Sequence, residues 1–319
     1  MKRINKLNKK VVIGSRGSEL ALWQSNFIKK ELEKKNKGIA VEIKIIKTTG
    51  DKILDVALSK IGDRSLFTKE LENALLKNEI DLAVHSLKDL QTQLPNGLKL
   101  AAVTNRHPVE DVLISKKKGI SLESLRENAV VATGSLRRKS QLLHLRPDIH
   151  IEELRGNVPT RINKFFESGW DAIILARAGV ERLKLQKYIS SIISTDEILP
   201  AVGQGALGIE INMENIFAEE ILNSLHDEST YKAVLAERAL LRTLEGGCQV
   251  PIGAFAEVKS NGLYLDAMVG SLDGTLAFRK KVKGSKAEPE KLGKNLAKDL
   301  LKAGAREILD EVYATARLK

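Results

Sequence analysis

Residues 81–89 read DLAVHSLKD, a short apolar run that ends in polar side chains. The run at 82–84 has the length and apolarity of a buried strand, and the preceding FTKELENALLKNE at 67–79 has helical periodicity. The polar residues expected just beyond the carboxyl end of this strand are His85, Ser86, Lys88 and Asp89. Ligands of open α/β sheets bind at that edge. A solvated turn with a Lys88–Asp89 surface pair is the other interpretation of the same residues.

Strands and helices alternate on both sides of this stretch. A helix is expected from near Ser18, another around Thr68–Lys77, and a short one at 121–127 (SLESLRE). Further strands are predicted at Val11–Ser15, Val41–Thr48, Leu98–Val103, Asp111–Ser115, Ala129–Ala132, Ile149–Glu153 and 172–176. This alternation predicts an α/β fold with parallel sheets.

The pattern changes near Thr230. A helix at 231–244 is followed by three strand-like runs near Ile252–Val258, Leu263–Gly270 and Leu276–Val282, and then by a helix after Pro289. That order predicts a small α+β domain after two α/β domains. The glycine-rich VGQGALGIEI at 202–211 is expected to lead a strand back to the first block. The predicted domains are 1–105 with 206–226, then 106–205, then 227–319.

The composition is that of a globular protein, with 43% hydrophobic and 29% charged residues over 319 positions. The net charge of +11 is concentrated at the start, since five of the first ten residues are Lys or Arg and none is acidic. No apolar run approaches the roughly 20 residues that span a bilayer, and no secretory signal is predicted. One cysteine, Cys248, excludes an intramolecular disulfide and a cysteine-rich zinc site, which favours the cytoplasm.

Three predicted strand-to-helix junctions carry arginines, in SRGS at 15–18, GSLRR at 134–138 and RGNVPTR at 155–161. Cations are unfavourable at a helix amino terminus, which already carries partial positive charge. An anionic ligand would compensate for them, and the arginine fork pairs with carboxylate or phosphate alike. Ser18 and Ser135 are candidate N-caps and Pro159 suits a first helical turn. Exposed arginines paired with acidic neighbours are the alternative.

Two further residues have both a structural and a chemical interpretation. Cys248 lies in EGGCQVP, where two glycines permit an exposed turn, but a free cysteine is more often a small buried apolar residue. His85 is expected to make a structural hydrogen bond, because no other histidine stands at metal-ligand spacing from it. No metal site is predicted, and no GxxxxGK[ST] phosphate loop is present.

Seven segments taken together closely resemble the porphobilinogen deaminase family, and the match runs in order from about Val11 to the C-terminus. These segments are RGSELALWQ, LFTKELENALL, AVHSLKD, TGSLRR, LRGNVPTR, AVGQGALGIE and GGCQVPIGA. The resemblance implies a cytoplasmic, monomeric transferase of tetrapyrrole (heme and porphyrin) biosynthesis, with two domains like those of periplasmic binding proteins and a small C-terminal domain. It implies head-to-tail condensation of four porphobilinogen molecules with loss of ammonia, then hydrolytic release of hydroxymethylbilane. The primer is a dipyrromethane cofactor in thioether linkage to Cys248.

The resemblance also implies roles for individual residues. Asp89 matches the catalytic aspartate, and the stretch from Lys60 to Arg64 matches a loop near the cleft. The implied cofactor-binding residues are Cys248, Lys88, Asp89, Ser135, Arg137, Arg138 and Arg155. The implied substrate-binding residues are Arg16, Ser18, Phe67, Arg155, Arg161, Arg182 and Gln204.

Two other classes of protein share part of this pattern. A ligand-binding module would need neither Cys248 nor Asp89, and a nucleic-acid-binding protein would explain the basic charge. The aromatic content is only 4% and no nucleic-acid-binding motif is present, so neither nucleic acid nor membrane is an expected partner. A pink colour with Ehrlich's reagent after denaturation is expected only of a protein that carries pyrroles covalently.

Overall fold

A computed structural model describes residues 9–49, 68–245 and 250–317 of the chain. These residues form two compact units. The first contains residues 9–49, 68–106 and 206–231, and the second contains 107–205, 232–245 and 250–317.

The first unit is built on a five-stranded sheet with the order β2-β1-β3-β10-β4. Its strands are β1 (Lys9–Ser15), β2 (Ile39–Ile45), β3 (Leu82–Ser86), β4 (Leu98–Val103) and β10 (Leu207–Asn212). Its helices are α1 (Glu19–Lys35), α2 (Lys69–Leu76) and α6 (Ile216–Leu222). Apolar side chains of α1 and α6 pack on one face of the sheet, and those of α2 pack on the other.

The second unit contains another five-stranded sheet, with the order β7-β6-β8-β5-β9. Its strands are β5 (Asp111–Ser115), β6 (Val130–Ala132), β7 (His150–Glu152), β8 (Ala172–Ala176) and β9 (Ser191–Ile193). Its helices are α3 (Leu136–Leu145), α4 (Val158–Glu167) and α5 (Arg177–Arg182), and cores form on both faces of the sheet.

The second unit also contains an antiparallel three-stranded sheet with the order β11-β12-β13. Its strands are β11 (Ile252–Lys259), β12 (Gly262–Gly270) and β13 (Ala277–Gly284). Helix α7 (Glu228–Thr243) precedes it, and α8 (Pro289–Leu300) and α9 (Arg306–Arg317) follow. One apolar core joins this sheet to the three helices. The predicted α/β class with a small α+β C-terminal part is confirmed, whereas the three domain boundaries stay predictions.

The prediction of wholly parallel sheets is wrong at one strand of each large sheet. Strand β10 is antiparallel to β3 and β4, and β5 is antiparallel to β8 and β9. Local alternation of strands and helices predicts parallel neighbours only for strands joined by a helical crossover. β10 lies more than a hundred residues from β3 and β4 in the sequence, so no such crossover sets its direction. Its predicted return to the first block is confirmed.

The helix predicted at 121–127 is also wrong, because these residues form turns. The Ser124 hydroxyl accepts a hydrogen bond from the Ser121 amide at 2.8 Å, and the Ser121 hydroxyl accepts one from the Ser124 amide at 3.3 Å. Side-chain bonds of this kind compete with helical backbone bonds. Leu122 and Leu125 are still buried, which explains the apolar spacing.

Candidate active site

Asp89 lies at the end of a single 3-10 turn, Leu87–Asp89, that directly follows β3. Leu87 is buried, Lys88 is half-buried and Asp89 is exposed. The Leu87 amide donates to the Ala206 carbonyl at 3.1 Å, which ties the turn to the chain entering β10. The turn therefore presents the Asp89 carboxylate to solvent from an anchored backbone.

His85 and Ser86 belong to β3 itself, so the prediction that they lie beyond the strand is wrong. The pairing with β10 accounts for the longer strand, since Ser86 is paired with Leu207 and His85 with Gly208. Sequence alone could not show this, because the partner strand comes from a distant part of the chain.

The absence of a side chain at Gly208 leaves the space that the Leu87 side chain occupies. A Cβ atom at Gly208 would lie 2.6 Å from Leu87 Cδ1 and 3.0 Å from Leu100 Cδ1. Real Cβ atoms do not approach other carbons that closely, so the Leu87 side chain occupies space left by the glycine. The position of the Leu87–Asp89 turn therefore depends on a residue in another strand.

His85 forms a buried pair with Glu210 on the face of the sheet that α2 covers. The His85 Nε2 atom lies 3.1 Å from Glu210 Oε2, with side chains 6% and 0% exposed. Glu210 Oε1 has no hydrogen-bond partner among the described residues. The expected structural hydrogen bond of His85 is confirmed.

The first helix begins next to the end of β3. Ser18 caps α1, with its hydroxyl 3.4 Å from the Ala21 amide, as predicted. The Gln24 side chain donates to the Ser86 hydroxyl at 2.7 Å, which joins α1 to β3. Because β1 and β3 are parallel neighbours, the half-buried Arg16 that follows β1 lies at the same sheet edge as Lys88 and Asp89.

The arginines at the start of α3 point inward, to a carboxylate. Ser135 is the N-cap, as predicted, with its hydroxyl 3.5 Å from the Arg138 amide. Arg137 Nη2 lies 2.9 Å from Asp111 Oδ2, and Arg138 makes a two-pronged contact with Asp111 at 3.0 and 2.7 Å. Remaining donors of the two guanidinium groups reach the Leu199 and Ile174 carbonyls. Neither arginine side chain is exposed at the surface.

Asp111 is completely buried in this cluster. Burial alone would raise the pKa of its carboxyl group, but the charges of Arg137 and Arg138 outweigh that effect. Hydrogen bonds from Arg138 and from Gln204 Nε2, the latter at 2.9 Å, act in the same direction. Together they hold the pKa of Asp111 far below its usual range.

The cluster carries one positive charge in excess, because two guanidinium groups share one carboxylate. A surplus cation with less than a tenth of its surface exposed favours an anionic group beside it. The carboxylate side chains of a dipyrromethane provide such groups. On this observation the residues at the start of α3 fit an anionic cofactor.

Arg155 and Arg161 lie at the next helix start. Arg155 is 3.2 Å from Glu153 Oε1, and Arg161 Nε donates to the Gly156 carbonyl at 2.7 Å. Asn157 caps α4 and Pro159 lies in its first turn, as predicted. Since β6 and β7 are parallel neighbours, Ser135 and Arg155 follow strands that end at the same sheet edge.

Arg182 and Gln204 are also buried in the second unit, and Gln204 belongs to the Asp111 cluster. Arg182 Nη2 donates to the Gly205 carbonyl at 2.8 Å, and burial lowers the pKa of this guanidinium to about 10. The Gln204 side chain donates to the Val109 carbonyl as well as to Asp111. Burial lowers the pKa of His107, and the nearby positive charge of Arg182 lowers it further.

Residues 203–208 read GQGALG, which has the spacing of a dinucleotide-binding loop. In that motif the glycines open a helix whose amino end holds the diphosphate. Here they lead into strand β10, so the spacing has no nucleotide-binding context.

Several predicted residues lie outside the described ranges, namely Cys248, Phe67 and the stretch from Lys60 to Arg64. The described residues contain no group of three or more His, Cys, Asp or Glu side chains placed to hold a metal. Among the helices described, none is long and apolar enough to cross a bilayer.

Asp111, Glu210 and Glu237 are buried acidic residues that the sequence did not identify as part of a site. The only available signal for Asp111 was a charge at the start of the apolar run DVLIS. A single acidic residue at a strand end is ordinary, and its arginine partners lie 26 and 27 positions away.

Comparison with known proteins identifies relatives over nearly the whole chain. The family model for the porphobilinogen deaminase dipyrromethane cofactor binding domain matches residues 11–243, and that for the C-terminal domain of the same family matches 231–302. A porphobilinogen deaminase of Carboxydothermus hydrogenoformans is 51% identical over 310 residues, covering 97% of this chain and 99% of the relative. One of Chloroherpeton thalassium is 50% identical over 310 residues, covering 96% and 98%.

Similar solved structures include a TRAP periplasmic solute-binding protein of Desulfovibrio salexigens. The TM-score is 0.41 at 11% identity, over 69% of this chain and 72% of that one. A similarity this weak supports no argument about function.

Proposed function

Because the chain belongs to the porphobilinogen deaminase family, we propose which of its residues bind the substrate and cofactor of that family's reaction and which residue catalyses it. The reaction polymerises porphobilinogen head to tail with loss of ammonia, in tetrapyrrole biosynthesis, and ends with hydrolytic release of hydroxymethylbilane. The family match over residues 11–302 is the observation that carries this function. The dipyrromethane cofactor, attached through a thioether to Cys248, supplies the primer to which substrate is added.

Asp89 is proposed as the catalytic residue. Its exposed carboxylate stands on an anchored turn, where it can accept hydrogen bonds from pyrrole N–H groups. When the substrate C–N bond breaks and its electron pair leaves with ammonia, positive charge develops on the remaining methylene-pyrrolenine. A fixed carboxylate stabilises that charge more than it stabilises the neutral ground state.

The arginines are proposed to bind the acetate and propionate side chains of the substrate and of the cofactor. Arg16, Ser18, Arg155, Arg161 and Arg182 are assigned to the substrate. The remaining proposed ligands are Ser135, Arg137, Arg138 and Arg155 for the cofactor, Lys88 beside Asp89, and Phe67 and Gln204 for substrate. Arg137, Arg138 and Gln204 contribute chiefly through the buried Asp111 cluster, whose surplus charge supports the α3 amino end as an anion site.

The experiment is turnover of porphobilinogen by the purified protein, with ammonia and hydroxymethylbilane measured together. One ammonia is expected for each substrate consumed. Asp89→Ala should retain substrate binding and lose at least about a hundredfold in kcat, because the transition state loses its counter-charge. Asp196→Ala, at a side chain that is 88% exposed, is the control and should turn over normally. Near-normal turnover by Asp89→Ala would reduce Asp89 to a structural residue.

We also propose that the protein works as a cytoplasmic monomer. Its place in a biosynthetic family that acts on a small water-soluble substrate supports this. Light scattering during size-exclusion chromatography should give the mass of one chain, 35.2 kDa plus the cofactor, and cell fractionation should recover the protein with soluble enzymes. A stable dimer, or recovery in another fraction, would contradict the respective part of this proposal.

A further inference from the structure

Glu237 is a buried carboxylate with both oxygen atoms engaged by backbone amides of distant segments. It lies within α7 and is 0% exposed. Its Oε2 accepts from the Gly203 amide and its Oε1 from the Ala256 amide, each at 2.7 Å. Gly203 precedes β10, whereas Ala256 is in β11, so one side chain joins three parts of the second unit.

Strand β11 also contacts the crossover segment, residues 199–204, through its backbone. The Ala254 amide donates to the Pro200 carbonyl at 3.0 Å. A Cβ atom at Gly253 would lie 2.7 Å from Leu199 Cβ and 3.0 Å from the Leu199 carbonyl oxygen. Glycine is therefore required at position 253 for this close approach.

The other side of the crossover segment is bonded to α3. The Leu199 amide donates to Gln141 at 2.8 Å, and the Leu199 carbonyl accepts from Arg137 at 2.7 Å. Gln204 donates to Asp111, which holds both arginines of α3. Buried hydrogen bonds thus run without interruption from β11 to the amino end of α3.

We propose that Glu237 is a positioning residue for cofactor assembly. It fixes β11 at Ala256, eight residues after Cys248 in the sequence, relative to the anion site at the start of α3. A covalently attached group binds its site most tightly when the attachment point and the site are already held at the right separation. The chain then loses no conformational entropy when the group binds. This inference rests on the proposed function, since it takes Cys248 as the attachment point and the α3 site as the anion site.

The carboxylate is essential to this role. An ionised glutamate offers an acceptor oxygen to each amide, whereas glutamine offers one oxygen and an NH₂ group that would face an N–H donor. Glu237→Gln therefore loses one of the two bonds and leaves a buried amide unsatisfied. Glu257→Gln changes an exposed residue of the same strand and is the matched control.

The test uses full-length protein made in a host that cannot synthesise porphobilinogen, which is then incubated with porphobilinogen. Intact mass follows formation of the covalent adduct, and hydrogen exchange follows the Gly203 and Ala256 amides. We expect Glu237→Gln to acquire the adduct about tenfold more slowly, with the amide that loses its hydrogen bond exchanging faster. Once loaded, it should show a raised KM with kcat within about twofold of wild type. Glu257→Gln should load at the wild-type rate.

Glu237→Asp is the conservative variant, because it keeps two acceptor oxygens on a side chain one methylene shorter. Its loading rate should fall between those of wild type and Glu237→Gln. Wild-type loading by Glu237→Gln despite faster amide exchange would overturn the inference. Failure of both variants to fold would also overturn it, since Glu237 would then serve folding alone. Wild-type protein that acquires no adduct would contradict the proposed function itself, and the inference with it.

Discussion

A single residue, Asp111, forms ion pairs with both Arg137 and Arg138 and thereby sets where their side chains point. The sequence placed both arginines at a helix amino terminus and predicted a compensating anion. The structure supplies one such anion from the protein itself, with the Asp111 carboxylate 2.9 and 2.7 Å from the two guanidinium groups. The two cations are compensated by negative charge, as their place at a helix amino terminus predicts. An internal carboxylate and a bound ligand look alike at the level of sequence, because the pairing depends on how β5 lies beside α3 in the folded chain.

Replacement of Asp111 should therefore be costly. Asp111→Asn keeps the shape but leaves two buried guanidinium groups without a counter-charge, so we expect a loss of about 3–5 kcal/mol in the free energy of unfolding. Denaturant unfolding at pH 7 measures this loss, with Asp196→Asn as the exposed control. A loss below about 1 kcal/mol would mean that the cluster is not an ionic anchor.

The same residue sets a pH dependence. The pKa of Asp111 is lower in the folded protein than its unfolded value of about 4. Its stabilisation is therefore complete above pH 4 and is lost as the pH falls towards the folded pKa. The free energy of unfolding of wild type should decline below pH 4, and that of Asp111→Asn should decline less steeply. Parallel declines would contradict this assignment.

At the scale of elements, helix starts were predictable and strand partners were not. Ser18, Ser135 and Pro159 occupy the predicted cap and first-turn positions, because capping depends on residues within one turn of each other. Strand direction at β5 and β10 depends on chain segments far apart in the sequence. The end of β3 was missed for the same reason, since its pairing with β10 extends it to Ser86.

The close packing of Leu87 against Gly208 leads to a prediction about β10. Gly208→Ala puts a Cβ atom 2.6 Å from Leu87 Cδ1, so the Leu87 side chain, which anchors the turn, must move. We expect kcat to fall about tenfold or more, because the proposed role of Asp89 requires its carboxylate to be held in place. The loss of stability should stay within about 1–3 kcal/mol. Steady-state kinetics and denaturant unfolding measure the two effects.

Gly169→Ala provides the control for this substitution. A Cβ atom there meets no heavy atom within 4 Å. It should leave kcat unchanged. Equal effects of the two alanines on kcat would show that Leu87 does not position Asp89.

At the scale of the whole molecule, the positive balance of the chain suits an anionic substrate. The net charge is +11, and Arg16 and Arg155 are half-buried cations at sheet edges of the two units. Attraction between partly exposed charges is screened as ionic strength rises. The KM for porphobilinogen should therefore rise several-fold between about 0.05 and 0.5 M salt, with kcat within about twofold. An uncharged osmolyte of equal osmolality is the control, and a KM independent of salt would refute the arginine sites.

We propose that Cys248 carries the dipyrromethane cofactor to which substrate is added. Intact-mass measurement of protein purified from a host that makes porphobilinogen tests it most directly. We expect wild type to carry the added mass of one dipyrromethane and Cys248→Ala to show the mass of the bare chain. Wild-type protein with no added mass and full turnover of porphobilinogen would contradict the account.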